Sequence, residues 1–187
     1  MTLNINGLND SDKLYFLKDF LEQRRIHICF LQETHIDSEK RKSEIEDILS
    51  NYTFLCTINT VKTRGVAILI RKQIEGLQYS DILKDISSRF LCIKIMVNKK
   101  IIHLLNIYAP NIEKDQIEFI NNLYDIVLSK KSLLIAGDFN SVESPTDRQR
   151  KNDNKKKLMN YEKEWIKFFK MNHLLEINFE KNCDKKK

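Results

Sequence analysis

Glycine and proline are scarce, 4 and 2 of 187 residues. That excludes a collagenous, linker-rich or low-complexity chain, and there is no internal repeat or heptad array. No apolar run approaches the roughly 18 residues of a membrane span. The start of the chain lacks a basic-then-apolar signal pattern, so neither secretion nor membrane anchoring is expected. The four cysteines, Cys29, Cys56, Cys92 and Cys183, show no C-x-x-C spacing. A disulfide scaffold or a zinc site is therefore not expected, and Cys29 and Cys92, inside apolar runs, read as small buried hydrophobes. What is present is ordinary for a globular protein: 42% hydrophobic and 31% charged residues. The length suits about one domain, here residues 1–187.

The net charge of +6 is unevenly placed. Residues 1–150 hold 21 Lys and Arg against 20 Asp and Glu, whereas residues 151–187 hold 11 Lys against 6 acids. A basic C-terminal segment suits a polyanionic partner. Only 8 of the 32 basic groups are Arg, however, and Lys, Asn and Ile together make 65 residues. An AT-rich genome produces the same bias, so charge alone decides nothing.

Apolar periods alternate along the chain. Met1–Ile5 reads as a short strand broken at Asn6-Gly7, and Asp10 to Arg24 as a helix capped by Asp10 or Ser11 with Leu14, Leu17 and Leu21 on one face. His27–Gln32 and Gly65–Arg71 are short apolar runs read as buried strands. Ser38–Leu49 reads as a helix with Ile45, Ile48 and Leu49 inward. Phe90–Val97 alternates, with Leu91, Ile93, Ile95 and Val97 on one face, and turns at Lys99-Lys100 into Ile101–Tyr108 as a hairpin. Ile117, Ile120, Leu123, Tyr124, Val127 and Leu128 mark an amphipathic helix. Ser132–Ala136 reads as a buried strand ending at Gly137. Leu158, Tyr161, Trp165, Phe168 and Phe169 form an aromatic stripe at helical spacing, read as core packing. Strands, crossover helices and a hairpin together imply a mixed α/β sandwich.

The informative pattern is where the polar residues fall. Four strands of buried type end in polar or acidic residues, in Leu3-Asn4-Ile5-Asn6-Gly7, Leu31-Gln32-Glu33-Thr34, Asn106-Ile107-Tyr108-Ala109-Pro110 and Gly137-Asp138-Phe139-Asn140. Open α/β sheets place ligands at the carboxyl ends of strands. Convergence there would collect Asn4, Glu33, Tyr108, Asp138 and Asn140 in one cleft. Carboxylate and amide oxygens without Cys or His suit a hard cation such as Mg²⁺, which can activate water and neutralise charge on a phosphate. Any one of these residues alone could end a strand simply because the chain returns to solvent.

The segments LNINGL, LQETH, GVAIL, LNIYAP, GDFN and TDR, in this order, resemble the endonuclease/exonuclease/phosphatase superfamily. More narrowly, they resemble the apurinic-endonuclease-like domain of non-LTR (LINE-type) retrotransposons. The resemblance implies a four-layer α/β sandwich of the deoxyribonuclease I-like kind, with mixed sheets flanked by helices. It assigns Glu33 as principal metal ligand with Asn4, Tyr108 to the scissile phosphate, Asp138 to deprotonating the attacking water, and Asn140 to positioning that water. Arg148 and Asn6 would touch nucleic acid. The implied cofactor is Mg²⁺, with Mn²⁺ a substitute, and the implied reaction is nicking of DNA to leave a 3′-hydroxyl primer. No membrane or obligate protein partner is implied. Fusion to a reverse transcriptase is, and so is an intracellular location, nuclear for an active retroelement product.

One departure bears on activity. The family carries a further strand with an aspartate and a closing Ser-Asp-His motif. After Asn140 this sequence has one histidine, His173, without Ser-Asp before it. The expectation is a domain truncated at its C-terminus, its last strands missing and its activity impaired, with His173 structural or on the surface. Two alternatives stay open: another phosphodiesterase of the superfamily, acting on RNA, lipid or inositol phosphate, and an inert remnant that at most binds nucleic acid.

Overall fold

A computed structural model describes residues 1–60, 63–142 and 157–175. In chain order the elements are β1 (Thr2–Asn4), α1 (Ser11–Gln23), β2 (Ile28–Gln32), α2 (Glu39–Ile48), β3 (Tyr52–Cys56), β4 (Val66–Arg71), β5 (Gln78–Lys84), β6 (Phe90–Val97), β7 (Lys100–Tyr108), α3 (Glu113–Leu128), β8 (Leu133–Asp138) and α4 (Asn160–Met171). They form two four-stranded mixed sheets, ordered β1-β2-β4-β3 and β5-β6-β7-β8.

The helices start where the local chemistry places them. The Asp10 carboxylate accepts from the Asp12 N–H at 2.8 Å at the head of α1. The Ser38 hydroxyl accepts from the Arg41 N–H at 3.3 Å at the head of α2. Such caps satisfy N–H groups that have no partner within the helix. Leu14, Leu17 and Leu21 of α1 and Ile45 of α2 pack on the outer face of the first sheet with Cys29, Leu31, Phe54 and Leu69. Phe119, Ile120, Leu123 and Val127 of α3 and Trp165 and Phe168 of α4 pack on the outer face of the second sheet with Cys92, Leu105 and Ile107. Between the sheets lie Phe30, Val66, Ile68 and Ile70 from one and Leu91, Ile93, Ile95, Leu104 and Tyr108 from the other. The result is a four-layer α/β/β/α sandwich.

Alternation along each strand supplies the two faces of each sheet. In β6, Leu91, Ile93 and Ile95 face the other sheet while Cys92 faces the helices. Trp165 and Phe168 are buried, so the aromatic stripe is core. Cys29, Cys56 and Cys92 are buried and free.

Four expectations change. Among the described residues β1 is an edge strand, exposed at Thr2 and Asn4, and not a buried one. β8 is half-buried along all six residues, because among the described residues it pairs only with β7. Leu128 is 72% exposed: the inward stripe of α3 ends at Val127, one residue and about 100° earlier. Finally, β3 and β5 add strands that the apolar runs did not mark. β3 carries an alternation, with Tyr52, Phe54 and Cys56 buried. β5 is exposed at every residue and interrupted by a register shift between Ser80 and Leu83, so it has no apolar period to read. Among the described residues, no helix is long and apolar enough to cross a membrane.

Candidate active site

Parallel pairing puts strand ends together. β1 and β2 run parallel, as do β7 and β8, so each sheet presents two neighbouring carboxyl ends. β1 packs against β8 and β2 against β7. Asn4 ends β1, Glu33 follows β2, and Tyr108 and Asp138 end β7 and β8. An open cleft of about 310 Å³ runs along this junction, lined by Thr2, Leu3, Asn4, Gln32 and residues 137–141.

One side chain ties the two sheets together at this point. The Asn4 Nδ2 donates to Glu33 Oε1 at 2.8 Å and to Asp138 Oδ2 at 3.1 Å. Its Oδ1 accepts from the Asn6 N–H at 3.2 Å. Asp138 Oδ1 accepts from the Asn140 N–H at 3.0 Å, and Asn140 Nδ2 donates to the Ala109 carbonyl at 2.8 Å. Five of the seven expected site residues (Asn4, Glu33, Tyr108, Asp138 and Asn140) thus meet in one place. Asn6 lies in the turn beside them, and Arg148 lies outside the described residues. His173 sits in the turn after α4.

The backbone is bent to make this meeting. Glu33 (φ 55°), Asn6 (φ 47°) and Asn140 (φ 45°) are all left-handed. Asn tolerates that region, whereas a glutamate there stores strain of the kind that concentrates at functional sites. Gly137 is required at its position. With φ at 149°, a Cβ would come within 2.0 Å of the Ile107 carbonyl oxygen.

Tyr108 is 8% exposed. Burial first, then the hydrogen bond and charge of Glu33, pushes its pKa up to about 12, with the Asp138 charge adding in the same sense. Its hydroxyl therefore stays protonated at neutral pH and serves as a donor. Arg89 lies over its ring, 5.5 Å from the centroid, and donates to the Tyr108 carbonyl at 3.2 Å.

Several supporting residues carried no sequence signal of their own. Asn106, fully buried, donates from Nδ2 to the Leu31 and Ala67 carbonyls at 2.9 and 2.7 Å, and accepts from Gln32 Nε2 at 2.7 Å. Gln32 also meets the Thr2 hydroxyl, at 3.0 Å from its Nε2. This amide chain joins β7 to the opposite sheet directly under the site, and apolar packing, being non-directional, could not fix that register. Gln116 donates to the Asn140 carbonyl at 3.0 Å and accepts from Trp165 Nε1 at 2.7 Å. Both Gln32 and Asn106 lie inside quoted segments, LQETH and LNIYAP, but as apparent strand interior.

The donor set is two carboxylates and amide oxygens. Among the described residues no group of three or more His, Cys, Asp or Glu is placed to hold a metal. Among these residues Glu33 and Asp138 share the Asn4 amide and accept besides it only from neutral groups, the Tyr108 hydroxyl and the Asn140 N–H, and hard oxygens so arranged fit a hard divalent cation.

Comparison with known proteins follows the same lines. The model of the endonuclease/exonuclease/phosphatase family matches residues 1–179. The chain belongs to that family. A relative, the transposon TX1 uncharacterized 149 kDa protein of Xenopus laevis, is 28% identical over 152 residues, covering 79% of this chain and 11% of that protein. The chain thus spans about a ninth of the length of that relative. Among solved structures, an AP endonuclease from Archaeoglobus fulgidus superposes with a TM-score of 0.68 at 18% identity, covering 91% of this chain and 69% of that one. The AP endonuclease LMAP from Leishmania major gives 0.70 at 14% identity, covering 91% and 65%. The 3′ phosphatase NExo from Neisseria, bound to a product DNA hairpin, gives 0.66 at 19%, covering 91% and 69%. At these identities the structures share the fold, and the family resemblance of the six segments is borne out.

Proposed function

We propose that this chain is the nicking endonuclease domain of a non-LTR retrotransposon, hydrolysing DNA phosphodiesters with Mg²⁺. The observation that carries the reading is the Asn4 amide bridging Glu33 and Asp138, residues from opposite sheets and 134 positions apart in the case of Asp138. Two carboxylates brought from opposite sheets around one amide are an arrangement that water activation beside a phosphate requires. The transposon relative and the DNA-bound neighbour support the retroelement branch and DNA as substrate.

Glu33, oriented by the Asn4 amide nitrogen on its Oε1, would hold the cation, which when bound would neutralise charge on the phosphate and polarise it toward attack. Asp138 takes the proton of the attacking water, held at its post by the Asn140 N–H and the Asn4 amide. Asn140 steadies that water: its amide nitrogen is engaged by Ala109, leaving its oxygen as acceptor. Tyr108 stands at the Glu33 carboxylate, and its single O–H, hydrogen-bonded to Glu33 in this structure, would turn to a phosphate oxygen when substrate binds.

Supercoiled plasmid tests this, because a single nick per molecule is visible and slow turnover is still read. The expected result is Mg²⁺-dependent conversion to open circle, abolished by EDTA, with ends that a polymerase extends. Nicking that persists unchanged in Glu33→Gln and Asp138→Asn would overturn the reading. So would ends that cannot be extended.

A further inference from the structure

In the turn after Asn4, every backbone N–H and C=O of residues 5–8 has a partner. The N–H groups of Ile5, Gly7 and Leu8 donate to the carbonyls of Gln32, Glu33 and Thr34 at 2.9, 2.6 and 3.0 Å, and that of Asn6 to the Asn4 side chain. The carbonyls on the other side converge. Those of Ile5, Asn6 and Gly7 all accept from one ammonium, Lys13 Nζ, at 3.0, 3.0 and 3.2 Å. The next, Leu8, accepts from Arg41 at 2.6 Å. Two consecutive left-handed residues, Asn6 at φ 47° and Gly7 at φ 87°, turn the three carbonyls to one side. Their aligned dipoles repel one another unless a cation sits among them.

We infer that Lys13 is a positioning residue of the active site: its ammonium holds the Ile5–Gly7 turn so that the Asn4 amide stays aimed at Glu33 and Asp138. The inference rests on the proposed hydrolytic function and goes beyond it. The route is short. Lys13 holds the Ile5 carbonyl, the same peptide unit carries the Asn6 N–H that fixes Asn4 Oδ1, and the Asn4 amide then presents its nitrogen to both carboxylates. An ammonium has three donors, and three carbonyls engage all of them. A lysine beside a nucleic-acid cleft would ordinarily be assigned to a phosphate, but no donor of this one is left for that contact.

Lys13→Met keeps the stem and removes the ammonium. Amide hydrogen exchange at residues 5–8 should then accelerate about 10-fold or more while β2 and β4 keep their protection. The kcat for nicking should fall about 10- to 100-fold with KM little changed, as expected when a supported group is misplaced and not removed. The slope of log DNA affinity against log salt should stay as it is, whereas a lost phosphate contact would reduce it by about one. Lys13→Arg, which keeps charge and donors, should recover part of the protection, and it stands in if the Met variant does not fold. Unchanged exchange at residues 5–8, or a reduced salt slope with unchanged kcat, overturns the inference. The exchange measurement needs no catalysis. A wild-type chain that nicks nothing would therefore sink the hydrolytic reading while exchange still decides whether Lys13 holds the turn.

Discussion

The two sheets are wired alike, yet they hold their site-bearing turns by opposite chemistry. Each has a parallel pair at one edge, β1 with β2 and β8 with β7, joined through a helix, and two antiparallel strands beyond. In the first sheet the turn after β1 is held by cations, Lys13 from α1 and Arg41 from α2. In the second the turn after β8 is held by a neutral relay, Trp165 of α4 to Gln116 of α3 to the Asn140 carbonyl. Burial explains the difference. Gln116 and Trp165 are 1% and 2% exposed, where an ammonium would lose its hydration. Lys13 is half-buried at the rim and keeps part of its hydration. The lesson is that a polar strand end becomes a site only when something behind it fixes the backbone, and the local dielectric selects what that is.

The largest expected effect comes from breaking the pairing of the two halves. Glu33→Gln and Asp138→Asn should each lower the nicking rate about 10³-fold. Because the two act as a unit, the double variant should be hardly worse than either single one in the same plasmid assay. Additive losses would mean two independent sites.

Gly137→Ala should destabilise the second half by about 3 kcal/mol, read from the urea midpoint, since its Cβ would collide with the Ile107 backbone at a left-handed position. Next comes the difference between the two supports. Gln116→Leu strands the buried Trp165 N–H, removes the donor to two part-buried carbonyls, and should destabilise by about 2 kcal/mol, equally at low and high salt. An effect that fades in high salt would contradict a neutral relay.

The smallest effect is a pH dependence. The folded pKa of Tyr108 is raised to about 12 from an ordinary value of 10.0, so its protonated form is favoured by folding. Its contribution to stability is complete below pH 10 and is lost as pH rises from about 10 to about 12. Tyr108→Phe should flatten the fall in stability across that window, measured by denaturant titration at each pH. Cys29 and Cys56, raised by burial to about 11 and 12, lose stability in the same direction and should leave a residual slope.

Much of this site was legible in the chain because its signals are local. Asn4, Glu33, Tyr108 and Asp138 each stand at the end of an apolar run, and a run and its ending are properties of a few neighbouring residues. The segments around Gly137-Asp138-Phe139-Asn140 also carry a glycine where the backbone crowds Ile107. The supports were not legible. Lys13 reads as one more solvent-facing helix residue, and Gln116 as a polar position in an amphipathic helix, because nothing in the residues beside them names the carbonyls they meet. β5 was invisible for a related reason: an exposed edge strand has no buried face and so no period.

By itself the sequence determined the four helices and six of the eight strands, the two-faced patterning of those strands and the chemistry at four strand ends. Periodicity and end composition are short-range and survive without a partner. Only the tertiary structure decided that β1 lies against β8, that one Asn4 amide serves both carboxylates, and that Asn106 pins the sheets together beneath them. Those contacts join residues up to 134 positions apart, and hydrophobic burial, which brings the sheets together, is indifferent to register until directional hydrogen bonds select one.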